Sequence, residues 1–473
     1  MKKSNVKFLL LLLLLLLTGF LFEACSENES FIENESTDLE SIIDDTANLS
    51  DKTSLLISDW LALLLDLDQH TTGMRPNATA RSFAYINLAA YETAVFGMDN
   101  YVSNEKKLKG LQINKNKRAN TIDVNIALNK TYAEVLNHFM YNVTDGVEVK
   151  IAQLENSIET SLSDDVSNEI VQDSKEWGSY VADRIISYAQ SDDDAEAQIH
   201  DPQPLSYEPE TEDGYWTYSA DPERALFPYW KKVRTFVISS KETSSVPPMA
   251  YSEDIESDYY KQMQEVYEVN NTAKAEDNEQ LWISEFWSDD VEGLMVSPPG
   301  RQISIAKQLI TQYNLSYERT LALLLKVGFA LNDAAVSTWA DKYEYMVMRP
   351  NVYIHEFIDT EFQTNLYRLV YWPNPSFPGY PSGHSTFASA AGGVFIDEFG
   401  DATNFTDRTH EGRTEFRGTP RTFNSFSEMA EENAFSRIPL GVHIRMDCTE
   451  GLRLGYEISD AINKYDLTDN GVR

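Results

Sequence analysis

The sequence predicts an all-α fold of two packed helical bundles, with an anion site in the C-terminal bundle. Apolar residues recur three and four positions apart in most segments after residue 53. Stretches in which apolar and polar residues alternate, as they do in β-strands, are almost absent. No fixed-period repeat is visible. We divide the 473 residues into a signal peptide at 1–24, an acidic flexible tether at 25–52, an N-terminal bundle with long loops at 53–250 and a C-terminal bundle at 251–473.

The first two dozen residues predict secretion. Lys2 and Lys3 precede a leucine-rich stretch at 8–22, which is too short for a comfortable membrane span and is typical of a cleaved signal peptide. Cys25 follows a small residue, as in bacterial lipoproteins, so we expect lipidation there, with plain cleavage or a retained anchor as alternatives. We therefore expect export across the inner membrane and a lipid anchor in the cell envelope or outer membrane, with no other membrane contact. With lipid on Cys25, Cys448 has no cysteine left to pair with.

Between this leader and residue 191 the sequence predicts a tether and five helices. Residues 26–50 are acidic and poor in aromatic side chains, which is typical of a flexible segment. The helical segments read "SLLISDWLALLLDL", "RSFAYINLAAYETAVFGM", "TIDVNIALNKTYAEVLNHFM", "KIAQLENSIETSL" and "SKEWGSYVADRIISYA". Residues 191–250 break this spacing with "SDDDAEAQIHDPQP" and "SSVPPM", so they predict long surface loops.

The C-terminal part returns to helical spacing. Its segments read "DYYKQMQEVYEV", "NEQLWISEFWS", "RQISIAKQLITQY" and a long run that ends in "DKYEYMVM". Helical patterning appears again after His384 and from Pro439 to about Tyr465.

The formal net charge of −36 limits the possible partners. Nucleic acid and anionic membranes would be repelled over most of the surface, so we exclude both as binding partners.

A first candidate segment contains Trp339, Lys342 and Arg349. These residues lie three and seven positions apart, so they share one face if the helix continues to Met348. Taken alone, the segment also fits an ordinary surface face with a long lysine side chain.

The second segment is "PSGHS". Ser382 or Gly383 can cap a helix that begins around His384, which leaves free backbone N–H groups in front of the helix. The small residues that follow allow close packing, and such a helix start is an anion site. A plain capped helix with a fortuitous histidine is the alternative.

The third segment is "SRIPLGVHIRMD". Pro439 suits a first helical turn, which would put His443 and Asp447 four apart on one helix face. Asp447 can then accept a hydrogen bond from one ring nitrogen of His443 and make the other nitrogen a better nucleophile or ligand. Arg437 adds donors suited to a tetrahedral oxyanion. Alone, such a pair is more often structural.

In order, the three segments read K-x6-R-P, P-S-G-H and S-R-x5-H-x3-D. This pattern resembles the shared signature of the vanadium-dependent haloperoxidases and of the type 2 phosphatidic-acid and bacterial acid phosphatases. The match is complete from Lys342 to Asp447. A looser resemblance to the haloperoxidases extends upstream through "SEFWSDD" and "SPPGRQ".

The residue types agree with this resemblance. Lys342, Arg349 and Arg437 are three permanent cations in one acidic protein, and gathered in a pocket they require a concentrated negative charge such as phosphate or vanadate. Ser382 and the Gly383 N–H would add neutral donors to the oxyanion.

The resemblance also implies roles. His443 would be the ligand of vanadium in a haloperoxidase, or the phosphorylated residue in a phosphatase, and His384 would be the acid or base on the opposite side. Lys342 would be catalytic as well as oxyanion-binding. The implied cofactor is vanadate, and the implied partners are hydrogen peroxide, a halide ion and a small organic acceptor.

Two aromatic residues favour the haloperoxidase branch. Trp339 and Phe377 would form an apolar, polarisable halide pocket that partly dehydrates the ion. The Phe377 and Trp339 spacings resemble chloroperoxidase-type and bacterial iodoperoxidase-type members. Core packing is the alternative explanation for both rings.

Two other functions stay open. One is a secreted acid phosphatase of the same superfamily that acts through a phospho-histidine. The other is a helical, glycan-binding outer-membrane lipoprotein, for which aromatic residues are available: Tyr215, Trp216, Tyr229 and Trp230.

Some residues receive no defined role. Glu285, Asp289 and Asp290 could each supply an acidic partner for Arg437, and nothing in the sequence decides among them. Arg445 is left unassigned, and Cys448 is expected to be small and buried. Five histidines are expected to be ordinary surface or core residues: His70, His138, His200, His355 and His410.

Overall fold

Helices make up almost all of the regular secondary structure in the computed structural model. The structure describes residues 51–143, 146–163, 166–218, 223–274, 278–368 and 374–468. The all-α prediction is confirmed. The signal peptide, nearly all of the tether and the lipidation site Cys25 lie outside the described residues, and the division of the chain near residue 250 stays a prediction.

The elements follow in chain order. Before residue 250 the helices are α1 (Lys52–His70), α2 (Asn77–Ala94), α3 (Val124–Phe139), α4 (Val149–Ser163), α5 (Asn168–Gln190) and α6 (Asp193–His200). After it they are α7 (Asp258–Ala273), α8 (Glu279–Phe286), α9 (Pro298–Gln312), α10 (Tyr317–Tyr345), α11 (Pro350–Phe357), α12 (Gly383–Phe399), α13 (Phe426–Phe435), α14 (Arg437–Leu440) and α15 (Arg445–Asn463). Short 3-10 turns lie at Val95–Gly97, Asn104–Lys106, Lys115–Lys117, Trp230–Lys232 and Asn365–Arg368.

A small antiparallel sheet completes the fold. Strand β1 (Phe405–Asp407) pairs with β2 (Arg421–Phe423), and Thr406 lies opposite Thr422. The pair connects α12 to α13.

Helix α10 is the central element of the core. It packs against α2, α12 and α15. Gly328 allows the close approach to α2, because a Cβ there would lie 3.0 Å from the Cα of Ala84. Within the described ranges, α10 alone is long and apolar enough to cross a membrane, and 89% of its most apolar window is buried inside the protein. It is therefore explained as a core helix.

Helix α12 packs closely on α15 because both present small residues. A Cβ on Gly451 would lie 2.5 Å from the carbonyl oxygen of Ser382. The predicted small-residue packing behind the helix start thus has its counterpart in α15. This contact fixes the N-terminus of α12 relative to the residues just before α15.

Three predicted boundaries are wrong. Residues 191–250 are not loop throughout, because Asp192 caps the helix α6 by accepting a hydrogen bond from the N–H of Ala195. Helix α10 ends at Tyr345 rather than Met348, and Met346 follows in the left-handed region with φ 50°. The predicted helix from Pro439 is interrupted by Gly441, which has φ 92°.

Candidate active site

The three sequence segments converge on one cavity of about 340 Å³. Seven residues predicted for the site line it: Trp339, Arg349, Phe377, Gly383, His384, Arg437 and His443. Residues before position 250 also contribute to the wall, among them Arg75, Pro76 and Leu226. The N-terminal part therefore helps to form a site that the sequence assigned to the C-terminal bundle.

The N-terminus of α12 points its unpaired backbone donors at this cavity. Ser382 is the N-cap, and its side chain accepts a hydrogen bond from the N–H of Ser385. Gly383 and His384 are the first two helical residues, so their N–H groups have no carbonyl partner within the helix. The predicted capped helix start is confirmed, and it offers donors to an anion.

His384 is held with a defined tautomer. Its Nε2 lies 2.9 Å from the carbonyl oxygen of Ser288, which can only accept, so Nε2 carries the hydrogen. Burial and the nearby Arg437 lower the pKa of His384 to about 4. The ring is thus neutral near pH 7, and Nδ1 keeps a lone pair that can accept a proton.

His443 is fixed by Asp447, as the sequence predicted. Its Nδ1 donates to Asp447 Oδ2 at 2.9 Å, and the same oxygen accepts the N–H of Ile444 at 3.2 Å. Burial, followed by Arg349 and Lys342, lowers the pKa of His443 well below its ordinary value. The neutral ring therefore has its lone pair on Nε2, which accepts a hydrogen bond from Arg349 Nη1 at 3.2 Å.

The predicted geometry of this pair is nevertheless wrong in one respect. His443 and Asp447 do not share a helix face, because α14 ends at Leu440 and α15 begins at Arg445. His443 lies in the turn between them, and Asp447 is the third residue of α15. Its carboxylate reaches back over the helix start to the N–H of Ile444 and the ring of His443.

The Arg349 side chain reaches the site from the start of α11 and not from the face of α10. It is the N-cap residue of α11, and the turn at Met346 separates it from Lys342, so the predicted shared face is wrong. Its Nε donates to the Phe377 carbonyl and its Nη1 to the Val442 carbonyl, both at 2.9 Å. Nη2 is buried and has no partner among the described residues. Burial lowers the pKa of Arg349 to about 10, so it stays charged near pH 7.

Arg437 is held by the segment that follows α8. Its Nη1 donates to the Trp287 carbonyl at 3.0 Å, and its Nη2 pairs with Asp290 Oδ2 at 2.6 Å. Asp290 is thus a partner of Arg437 among the three candidate acids. The Nε of Arg437 is buried without a hydrogen-bond partner in the part of the chain that the structure describes.

Lys342 is placed differently from the other cations. It is fully buried, and its Nζ donates to the carbonyls of Pro378, Gly379 and Pro381 at 3.0, 3.0 and 2.6 Å. Burial and Arg349 lower the pKa of Lys342 well below its ordinary value, so its charge is less permanent than the sequence argument assumed. In this structure Lys342 supports the loop before α12, and its contact with an oxyanion stays a prediction.

Trp339 and Phe377 form an apolar wall of the cavity. Their ring centroids lie 4.8 Å apart at an angle of 49°. The Arg349 guanidinium lies 5.0 Å from the centroid of Phe377. An anion in this cavity would therefore contact polarisable rings as well as positive charge.

A buried ionic network that was not predicted from the sequence lies behind the site. Arg301 pairs with Asp289 at 2.7 Å and with Asp407 at 3.0 Å, and all three side chains are 0% exposed. His410 also contacts Arg301 and lies 3.5 Å from Asp289. Burial alone would raise the pKa of Asp289, but Arg301 and His410 outweigh it and lower the pKa to about 2.

This network brings together the two segments of the looser upstream resemblance. Asp289 belongs to "SEFWSDD" and Arg301 to "SPPGRQ", so the two segments meet in one ion pair. Asp289 has φ 49° and stands between Ser288, which contacts His384, and Asp290, which contacts Arg437. The two segments were visible in the sequence, but their pairing was not.

The chemistry of the donors fits a tetrahedral oxyanion. Arg349 Nη2 and Arg437 Nε are buried donors without partners in the described ranges, and the α12 N-terminus adds backbone donors. His443 supplies a lone pair with a fixed tautomer. Together these groups can hold vanadate or phosphate, and His443 Nε2 can bond to the central atom once it gives up its hydrogen bond from Arg349 Nη1.

Comparisons with known proteins find similar proteins among the vanadium-dependent haloperoxidases. Residues 322–468 match the model of the VCPO second helical-bundle domain. The vanadium chloroperoxidase of Curvularia inaequalis is 24% identical over 216 residues, which cover 34% of this chain and 35% of that protein. The match thus spans about a third of the length of this curated relative.

Two solved structures share the fold over most of the chain. The crystal structure of a bacterial vanadium-dependent iodoperoxidase superposes with a TM-score of 0.76 at 28% identity, covering 88% of this chain and 98% of that one. An apo-type bacterial vanadium-dependent chloroperoxidase superposes with a TM-score of 0.62 at 15% identity, covering 82% and 94%. With the signature and the cavity, the matches to the domain model, to the chloroperoxidase sequence and to the iodoperoxidase structure support a vanadium haloperoxidase.

Proposed function

We propose that this protein is a vanadate-dependent haloperoxidase that uses hydrogen peroxide to oxidise a halide ion to hypohalous acid. One observation carries the proposal: His443, oriented by Asp447, lies in the same cavity as two arginines with unpaired buried donors. The similarity to haloperoxidases supports the choice of reaction.

The residues that would hold vanadate are Arg349, Arg437, Ser382, Gly383 and His443. The arginines neutralise the oxyanion, the helix start donates N–H groups, and His443 Nε2 supplies the bond to the metal. When bound, vanadate supplies Lewis-acid activation of hydrogen peroxide. The negative charge of the oxyanion also favours the protonated form of Lys342, which is otherwise disfavoured by burial.

His384 is the proposed proton acceptor. Its neutral ring donates through Nε2 to Ser288, so Nδ1 is free to take a proton from hydrogen peroxide as it binds. The protonated ring can then return this proton to the hydroxide that is displaced, which leaves the site as water. Asp290 Oδ1, 3.8 Å from Nε2, would stabilise the protonated ring.

The walls of the cavity favour halide over a phosphate ester. Trp339 and Phe377, with Leu226 and Pro298, form an apolar surface that partly dehydrates a halide ion and contacts it through polarisable rings. The acid-phosphatase alternative uses the same oxyanion donors, so it is the second candidate. The glycan-binding alternative loses support because Trp216 and Trp230 are 0% exposed and cannot stack on a sugar.

The function is tested by loading the purified protein with orthovanadate. Peroxide-dependent oxidation of iodide, bromide and chloride is measured beside hydrolysis of p-nitrophenyl phosphate by the vanadate-free protein. We expect halide oxidation that depends on vanadate and peroxide, with iodide the easiest to oxidise. Strong phosphatase turnover with negligible halide oxidation would favour the phospho-histidine enzyme.

We also propose that the protein is secreted across the inner membrane. The mature protein is then anchored by lipid on Cys25 to the cell envelope or outer membrane. The leader and the position of Cys25 support this proposal. Incorporation of labelled fatty acid should disappear in Cys25→Ala and persist in Cys448→Ala, whose thiol is buried. Equal labelling of both variants would contradict the anchor.

A further inference from the structure

Arg75 is a cation of the cavity that lies outside the signature. It precedes α2 in the N-terminal part of the chain and lines the same cavity as His384 and His443. Only 7% of its surface is exposed. A guanidinium stays charged at any working pH, so its burial requires compensating contacts.

One nitrogen of Arg75 has a structural role. Nη2 donates to the carbonyls of Asp68, Gln69 and Met295 at 2.8, 3.2 and 2.6 Å. These bonds tie the C-terminal end of α1 to the segment before α9. The other two nitrogens, Nε and Nη1, are buried and have no hydrogen-bond partner in the described part of the chain. Unpaired buried donors are unfavourable, and a ligand would satisfy them.

The acids around Arg75 do not take these donors. Asp290 is paired with Arg437, and Glu292 Oε1 accepts the N–H of Gly73 at 2.9 Å. Asp68 Oδ2 accepts the N–H of Ser297 at 2.6 Å. Among the described residues, no acid therefore forms a hydrogen bond with Nε or Nη1 of Arg75.

The pattern of used and unused nitrogens indicates the kind of anion. A two-point grip on a carboxylate needs Nη2 together with Nε or Nη1, and Nη2 is already occupied by three carbonyls. A single-atom anion needs only one of the free donors. The apolar neighbours Pro76 and Pro298 in the same cavity would strengthen this contact by excluding water.

We propose that Arg75 binds the halide ion in the cavity, as a second anion-binding point separate from the oxyanion donors. The proposal rests on the proposed function for the fate of the halide, but the binding itself does not require turnover. Arg75 is then the contribution of the N-terminal part of the chain to substrate binding.

The variant Arg75→Lys separates the two roles of this side chain. A lysine ammonium has three donors, which the three carbonyls can take in place of Nη2, so the structural ties persist while no donor remains for the anion. Arg81→Lys is the matched control: Arg81 is 2% exposed, it donates to the Ala189 carbonyl and to Glu196, and it does not line the cavity formed by the described residues.

Halide binding is measured first, without peroxide, on the orthovanadate-loaded protein. Chloride NMR line broadening, with displacement by iodide, reports binding. We expect affinity about tenfold weaker in Arg75→Lys, from the loss of one charge-assisted hydrogen bond, and no change in Arg81→Lys. Benzoate serves as the carboxylate probe and should not displace chloride at comparable concentrations. Unchanged chloride binding in Arg75→Lys, or tighter displacement by benzoate than by iodide, would overturn the proposal.

Steady-state kinetics give a second readout. The KM for iodide should rise about tenfold in Arg75→Lys, while the KM for peroxide and vanadium retention stay as in the wild type. A Michaelis constant does not depend on the fraction of protein that folds, so reduced yield leaves the test valid. Halide binding that depends on Arg75 without any oxidation would contradict the proposed function alone. Oxidation with an unchanged iodide KM in Arg75→Lys would contradict this inference alone.

Discussion

At the residue scale, the chemistry of the site depends on two histidines whose tautomers are set by different partners. Asp447 accepts a hydrogen bond from Nδ1 of His443, so the lone pair of this ring is on Nε2. The Ser288 carbonyl accepts a hydrogen bond from Nε2 of His384, so the lone pair of this ring is on Nδ1, where it can accept a proton. The two rings therefore present opposite nitrogens, which suits the proposed roles of His443 in metal binding and of His384 in proton transfer.

Replacing each histidine by alanine should separate these purposes. His443→Ala should abolish vanadium retention, because it removes the proposed bond to the metal. His384→Ala should keep much of the vanadium and lower turnover by roughly 10²- to 10⁴-fold, as expected for loss of an acid or base. Vanadium content after gel filtration and iodide oxidation rate are the two measurements. Full activity in both variants would show that the site is elsewhere.

The pH dependence follows from the pKa of His384, which burial and Arg437 lower to about 4. Below this pKa the ring is protonated and cannot accept a proton, and above it the base is available. The kcat/KM for peroxide should therefore rise with pH through about 4, or through a somewhat higher value when the negative oxyanion is bound, and then level off. The residual activity of His384→Ala should lack this rise. A wild-type profile that falls over the same range would contradict the assignment.

At the scale of elements, the positions of the catalytic groups are set by where helices begin and end. Ser382 and the start of α12 could be predicted because Ser-Gly ahead of small residues is a local capping signal. The end of α10 at Tyr345 could not, because Met346 adopts φ 50° with no glycine to signal the turn. Gly441 lies between Pro439 and His443 in the sequence, and its φ of 92° ends α14. A helix end at this glycine could have been predicted, but it was not.

The segment after α8 is the element that holds both His384 and Arg437. Arg301 fixes it through Asp289, although Arg301 is not among the residues that line the cavity. Arg301→Met leaves the buried Asp289 beside His410 but without its arginine, which should cost about 3 to 5 kcal/mol of folding free energy. Chemical denaturation measures this loss.

Arg301→Lys is the conservative control for this position. One ammonium can keep the pairing with Asp289 but not the simultaneous contacts with Asp407 and Phe286. We expect an intermediate loss of stability and a shifted pH profile of kcat/KM, because Ser288 no longer holds His384 as firmly. A stability loss with an unchanged pH profile would show that Arg301 only stabilises the fold.

At the scale of the whole molecule, the spacing of apolar residues was sufficient to predict the all-α class. The signature between Lys342 and Asp447 predicted five residues that line the cavity: Arg349, Gly383, His384, Arg437 and His443. It did not predict that residues such as Arg75 and Leu226 complete the cavity. These contacts join positions more than a hundred residues apart and leave no periodic or local signal in one sequence. The net charge of the chain is −36, whereas Arg75, Arg349 and Arg437 line the cavity, so these arginines can attract an anion that most of the protein repels.

The central claim is that three distant segments form one vanadate site with His443 bonded to the metal. Crystals soaked in orthovanadate, measured above and below the vanadium absorption edge, test it most directly. We predict one anomalous peak in the cavity, at bonding distance from His443 Nε2 and within hydrogen-bond reach of Arg349 and Arg437. A vanadium peak on another surface, or oxyanion density in the cavity with no bond to His443, would contradict the account.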